Sequence, residues 1–228
     1  MRLAAFGDSI AAGLGARGRS YPVVVAERLR MDLVDLTGSA RQVTDSALIV
    51  ERAAAADVVL VAHGITEALL RPTPQVLARV PARWREAGWM DPRPYYSSRR
   101  SRRWVERAES ATRWRLKVAL MRGWGAQRFC PPERYALELE RLLARLPQAS
   151  RVVVVTGANV DERYFPGSSA SLRHYAELGR AVALRNGAEH VDVATAVRRW
   201  EDYLVDHFHP NTEGHRRIAE RVVAALTA

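Results

Sequence analysis

Short apolar runs alternate along this chain with stretches of helical period. Residues 3–6 (Leu-Ala-Ala-Phe) form an apolar run closed by Gly7, which predicts a strand feeding a turn. Over residues 21–30, Val24, Val25, Arg28 and Leu29 fall on one stripe with charge opposite, which predicts a helix. Residues 33–36 predict a second strand, closed by Thr37-Gly38-Ser39, and residues 45–56 a helix with Thr44 or Asp45 near its start. The unbroken run 58–62 suits a strand buried on both faces, as does 152–155. Pro131-Pro132-Glu133 opens a helix to residue 146. A long helix over 168–186 is stopped by Gly187; a strand over 190–193 and a closing helix over 212–227 complete the series. Strands alternating with helices predict an α/β fold: a parallel sheet with helices on both faces. Active sites in such sheets lie at the carboxyl ends of the strands. Three of those ends carry chemistry-bearing residues: Gly7-Asp8-Ser9, Thr37-Gly38-Ser39 and His63-Gly64-Ile65-Thr66-Glu67.

Composition narrows the picture. The 228 residues, 48% of them hydrophobic, suffice for one domain over 1–228 with a buried core. No apolar stretch is long enough to span a membrane. The apolar run near the N-terminus is too short for the core of a signal peptide, so a cytoplasmic location is expected. The single cysteine, Cys130, allows no internal disulfide and reads as a spectator thiol. Arginine replaces lysine everywhere but at Lys117, and alanine is abundant, as in a GC-rich bacterial genome.

The charge is concentrated. Residues 79–128 hold fourteen basic and four acidic residues, and with them the whole net charge of +10. Five of the six tryptophans (Trp84, Trp89, Trp104, Trp114 and Trp124) lie there too. Within it, residues 99–121 have helical character, with one stripe through Trp104, Ala108, Ala111 and Arg115 and another through Val105, Thr112, Leu116 and Ala119. The segment reads as a basic insertion in a neutral domain. It is either a helical elaboration with solvated arginines, or a lid, a docking surface for an acidic partner, or an interfacial membrane contact. Its acidic partner would be an anionic glycan or an acyl carrier protein. Nucleic acid is not expected, since no nucleic-acid motif accompanies the charge.

A serine nucleophile needs an exposed hydroxyl, a base to take its proton and a group to orient that base. Ser9 follows a strand, at what reads as a helix N-terminus whose N–H groups could face a developing oxyanion. Alone, the motif also suits a strand-to-helix turn capped by Ser9 or Asp8. In Asp206-His207-Phe208-His209-Pro210-Asn211 a carboxylate precedes a histidine by three residues, close enough for one segment to deliver base and orienter. That stretch also suits a polar loop capping the last helix through Asn211 or Thr212. His63 ends a buried strand and serves either as a pocket residue or in a structural hydrogen bond; His174, His190 and His215 read as surface or core histidines. No cluster has metal-ligand spacing and no phosphate loop appears, so neither metal nor nucleotide cofactor is expected.

Taken together, the two end motifs resemble those of the SGNH (GDSL-type) hydrolases. Gly7-Asp8-Ser9-Ile10 with Gly13 is similar to that family's first block, and Asp206-x-x-His209-Pro210-Asn211 to its last. The resemblance covers the chain outside roughly residues 75–130. It implies a three-layer flavodoxin-like fold with about five parallel strands. It implies Ser9 as nucleophile, His209 as base and Asp206 as orienter of a serine esterase. The middle blocks fit less closely. Gly38 is the nearest candidate for the second-block glycine whose N–H lines the oxyanion hole, with Ser39 or Ala40 as alternative registers. Gly64-Ile65-Thr66-Glu67 stands where the family has Gly-x-Asn-Asp. Either Thr66, Ser39 or Asn159 replaces the usual asparagine donor, or turnover of generic esters is slow. The expected substrate is a small O-acyl ester on a glycan or specialised metabolite. An acyltransferase with the same triad, and an impaired SGNH-fold binding protein, stay open as alternatives.

Overall fold

The computed structural model describes residues 1–86 and 88–228. In chain order the elements are β1 (Arg2–Gly7), α1 (Tyr21–Leu29), β2 (Asp32–Thr37), α2 (Val43–Ala47), β3 (Val58–Ala62), α3 (Ile65–Ala68), β4 (Leu70–Pro72), α4 (Pro74–Leu77) and α5 (Arg100–Trp124). They continue with β5 (Ala126–Arg128), α6 (Pro132–Ala144), β6 (Arg151–Thr156), α7 (Ser168–Arg185), β7 (Glu189–Asp192) and α8 (Thr212–Thr227).

Five strands form a parallel sheet in the order β2-β1-β3-β6-β7. The chain first steps outward from β1 to β2, then returns past β1 to β3 and continues the other way. Right-handed crossovers in opposite directions put their helices on opposite faces. Accordingly α1 packs on α8, while α2 packs on α6 and α6 on α7. Every residue of β3 is buried, as its unbroken apolar run requires. The strand order reverses between β1 and β3, so a crevice opens at their carboxyl ends. The loops after β1, β2 and β3 all empty there. Among the described residues no helix is long and apolar enough to cross a membrane.

Several local expectations are corrected. The helix expected over residues 45–56 is broken. It ends as the five-residue α2, where Ser46 turns inward to pair with His63, and a 3-10 turn at Val50–Ala53 follows. Val50 and Ala53 are both buried there, on the three-residue period that such a turn allows. Ser9 does not open a helix. Residues 8–16 make successive turns, with Ala12 N–H bonded to Asp8 O and Leu14 N–H to Ser9 O. Gly13 and Gly15 then take positive φ, which stops the turns from propagating as a helix.

The basic segment is a long helix held to a small antiparallel pair, β4 with β5, that lies outside the main sheet. Neither strand is evident in the sequence. Neither stripe of α5 turns wholly inward: Trp104 and Val105 are 72% and 68% exposed. Its buried positions are Glu106, Ser110, Lys117, Val118 and Met121. The helix packs largely through polar contacts. Ser97 N–H donates to Glu106 (2.7 Å), Arg93 N–H to Ser110 Oγ (2.9 Å) and Lys117 Nζ to Asp91 Oδ1 (2.6 Å). Nor are all the basic segment's arginines simply solvated. Arg93, Arg102 and Arg113 pair with Glu106 or Glu109. Arg103 donates to the Ser97 and Ser98 carbonyls.

Candidate active site

Two chain ends meet at the crevice. Ser9 follows β1, and His209 lies just before α8. His209 Nε2 stands 3.0 Å from Ser9 Oγ, and His209 Nδ1 stands 2.6 Å from Asp206 Oδ2. The loop geometry explains how one segment supplies both groups. His207 adopts a left-handed conformation (φ 51°), which folds the chain so that Asp206 and His209 face the same way. Asp206 Oδ1 accepts the N–H groups of Phe208 and His209, each at 3.1 Å, so the carboxylate is fixed by its own loop. The same segment caps the helix after it: Asn211 Oδ1 accepts from Glu213 and Gly214 N–H. Ser9, His209 and Asp206 are all buried, at 8%, 9% and 1% exposure, with the hydroxyl opening onto a pocket. A serine, an imidazole and a carboxylate in one hydrogen-bonded line can activate the hydroxyl for attack on an acyl carbon.

The pocket holds about 180 Å³. Leu14, Ser39, Ala40, Thr66 and Leu69 line it from the main domain, and Gly88, Asp91, Pro92 and Pro94 from the basic segment.

The remaining sequence candidates divide. Ser39 and Ala40 reach the pocket, whereas the Gly38 amide is taken, donating to Gly7 O at 3.0 Å as an extension of the sheet. Ala40 has φ 56°, and neither its amide nor that of Ser39 or Ser9 is bonded to another described residue. Thr66 lines the pocket, but its hydroxyl proton goes to Asp8 Oδ2 (3.2 Å). Asp8 lies beneath Ser9, with its other oxygen on Ile10 N–H (2.9 Å). Burial raises its pKa above the usual carboxylate value, and the bonds from Ile10 and Thr66 only partly oppose that. Asp8 therefore shapes the turn that carries Ser9 and does not reach the pocket wall. Asn159 is also spent: its Nδ2 donates to Ala194 O (2.7 Å) and Tyr203 Oη (3.1 Å), and its Oδ1 accepts from Arg199.

His63 and Gly64 belong to the support under the site. His63 Nε2 pairs with Ser46 Oγ (2.8 Å), away from the pocket, and burial pushes its pKa down to about 3, aided by the charge of Arg41. Gly64 sits at φ 109°, where a Cβ would stand 2.8 Å from the Tyr135 hydroxyl. Its N–H donates to Glu67 Oε2 (2.9 Å), while Glu67 Oε1 accepts from Val43 N–H (2.7 Å). Glu67 thus ties the loop after β3 to the start of α2, and burial pushes its pKa up to about 7. Of the other histidines, His215 is wholly buried and accepts Tyr21 N–H at Nδ1 (3.2 Å), and His190 Nε2 pairs with Thr156 Oγ1 (2.7 Å). Among the described residues no three His, Cys, Asp or Glu side chains cluster as metal ligands would.

Arg71, Asp91, Pro92 and Pro94 also line the pocket, and their local sequence does not mark them as pocket residues. Asp91 is visible only as one of four acids in a basic stretch. Nothing in the pattern around Arg71 marks β4, a three-residue strand.

The molecule is similar across nearly its whole length to several solved structures. An α/β hydrolase enzyme, LAE5, from the metagenome of Lake Arreo, Spain, superposes with a TM-score of 0.64 at 21% identity, covering 99% of this chain and 94% of that one. A catalytic mutant of the acetylxylan esterase Axe2 from Geobacillus stearothermophilus gives 0.64 at 15% identity, covering 100% and 94%. Phospholipase A1 from Streptomyces albidoflavus gives 0.56 at 15%, covering 99% and 97%. These likenesses establish a shared fold. A search of curated protein sequences finds no match. The sequence profile of the GDSL-like lipase/acylhydrolase family, in contrast, matches residues 5–217, a span that runs from β1 and Ser9 through Asp206 and His209 into α8. The chain therefore belongs to the GDSL-like lipase/acylhydrolase family and is an SGNH-type acylhydrolase.

Proposed function

We propose that this protein is a serine esterase that works through an acyl-enzyme on Ser9. The observation that carries the reading is the unbroken line from Ser9 Oγ to His209 (3.0 Å) to Asp206 (2.6 Å). Ser9 Oγ attacks the ester carbonyl as His209 Nε2 takes its proton. The imidazolium then protonates the departing alcohol, and water activated by the same nitrogen releases the acid. Asp206 holds the tautomer in which Nδ1 carries hydrogen and Nε2 is free to accept. The amides of Ser9 and of Ser39 or Ala40 receive the developing oxyanion, in place of Gly38 and without the Thr66 hydroxyl.

The substrate on this reading is an O-acyl ester on a glycan or specialised metabolite. An acetylxylan esterase and a phospholipase among the fold neighbours make acyl esters of very different alcohols reasonable for such a scaffold. The basic segment acts as the outer wall and entrance of the pocket, since Gly88, Asp91, Pro92 and Pro94 line it together with Ser39 and Ala40. The deciding experiment is labelling with a fluorophosphonate probe together with hydrolysis of an acyl-length series of activated esters. Both should be present in the wild type and absent in Ser9→Ala with its fold intact. An unlabelled wild type that turns over none of the series would overturn the reading.

A further inference from the structure

Beside the pocket lies a pair of cations, Lys117 buried and Arg71 half-buried, that ester chemistry at Ser9 does not use. Arg71, on β4, is half-buried, and its Nε is out of solvent with no hydrogen-bond partner among the described residues. No other described residue bonds to its terminal nitrogens either. Its guanidinium lies 4.0 Å over the Phe129 ring, so one face is dry. Lys117, 2% exposed, holds Asp91 Oδ1 at 2.6 Å and stands 3.9 Å from the centre of the Phe165 ring. Burial lowers the pKa values of both Arg71 and Lys117, and the charge of Asp91 works against that. Burial would raise Asp91, yet Lys117 and Arg71 together hold it below the usual carboxylate value. Two cations thus share one carboxylate, and Lys117 has the hydrogen bond.

The position of Arg71 gives this imbalance a use. Arg71 and Asp91 line the pocket that contains Ser9 and His209. They also line an adjoining cavity of about 50 Å³ whose walls include Lys117 and Phe129. That volume holds on the order of four water-sized groups, enough for a carboxylate or phosphate. Arg71 shares the Asp91 charge but none of its hydrogen bonds, and a guanidinium with open donors is matched by a two-oxygen anion in a forked pair.

On the reading of Ser9 as nucleophile, we propose that the substrate is an anionic ester, whose carboxylate or phosphate enters the cavity at Arg71 while its ester carbonyl lies at Ser9. Arg71 is then a specificity residue, and the reaction releases a charged acid or a charged alcohol.

The test compares para-nitrophenyl hemisuccinate and hemiglutarate with the neutral butyrate and valerate esters. The wild type should favour the charged esters in kcat/KM. Arg71→Gln should lower the charged-to-neutral ratio by roughly tenfold or more, mainly through KM for the charged ester, and Arg71→Lys, which keeps charge without the fork, should fall between. Glutarate and inorganic phosphate, tried as competitive inhibitors of wild type and by calorimetric titration of Ser9→Ala, decide which anion the cavity takes. This arm needs no Arg71 variant to fold. Labelling of Ser9 with no preference for charged esters, and no binding of either anion, overturns the anion site and leaves the esterase standing. Anion binding without any serine labelling sinks the esterase reading and keeps the site. An equal fall in kcat on charged and neutral esters in Arg71→Gln also overturns it, since that marks a group acting on the oxyanion.

Discussion

Ser9, His209 and Asp206 are joined by two hydrogen bonds, and groups joined in this way fail together. Removing Ser9 and His209 in one variant should therefore cost about as much turnover as removing either alone. Steady-state rates on one activated ester across both single variants and the double variant measure this, and additive losses would speak against a shared mechanism. Thr66 makes a contrasting case. Its hydroxyl donates to Asp8 at 3.2 Å and is not free for an oxyanion. Thr66→Val should leave Asp8 Oδ2 without that donor and cost about 1–3 kcal/mol of stability, with kcat falling by less than roughly tenfold. Urea midpoints and kcat on the same preparation separate the two effects. A large kcat loss at unchanged stability would return Thr66 to the oxyanion hole.

At the scale of elements, α5 shows why a charged helix can pack where hydropathy places no contact. Glu106 accepts from Ser97 N–H and from Arg102 and lies 3.7 Å from Arg93, so it pins the loop before the helix to its first turns. Glu106→Ala should free that loop. Limited trypsin digestion should then cut among Arg99, Arg100, Arg102 and Arg103 faster than in wild type, while the urea midpoint of the main sheet moves little. A matching loss of global stability would mean that the segment is part of the core. Because Arg102 and Arg103 make local bonds, charge on this surface is better probed at Arg99 and Arg100, which make no side-chain ion pair among the described residues. Arg99→Gln with Arg100→Gln should leave the digestion pattern of the loop unchanged apart from the cuts they remove.

For the molecule as a whole, acid is the vulnerable direction. Burial pushes His63 to about 3, aided by Arg41, and His215 to about 4, aided by His209, from an ordinary 6.5. The unfolded chain takes these protons first. The stability contributed by the two neutral imidazoles is complete above about pH 6.5 and drains away as pH falls towards those values. Glu67 runs the other way: burial lifts it from 4.5 to about 7, so its contribution is present below about 4.5 and lost as pH rises through 7. Asp8, also raised by burial, acts with Glu67, so the histidine contribution is the acid-side drop in urea midpoint between pH 6.5 and 4 that depends on His63. His63→Gln, which can still reach Ser46, should flatten that drop. A slope identical to wild type would show that His63 does not carry it.

The α/β class, the parallel sheet and most of its elements are legible in the residue order, because strands buried on both faces and amphipathic helices write their periods directly into it. It also marked Ser9, Asp206 and His209, because each end motif is short and local, with base and orienter only three residues apart. What surrounds them is set by long-range contacts. Whether Gly38, Ser39 or Ala40 meets the pocket depends on one hydrogen bond to Gly7, and whether Thr66 or His63 faces it depends on partners 58 and 17 residues away. The meeting of Arg71, Asp91 and Lys117 beside Ser9 joins β4, a loop and α5, segments whose local patterns share nothing. Such contacts are fixed by chain closure and by the satisfaction of buried polar groups, and those constraints act between positions that are distant in sequence.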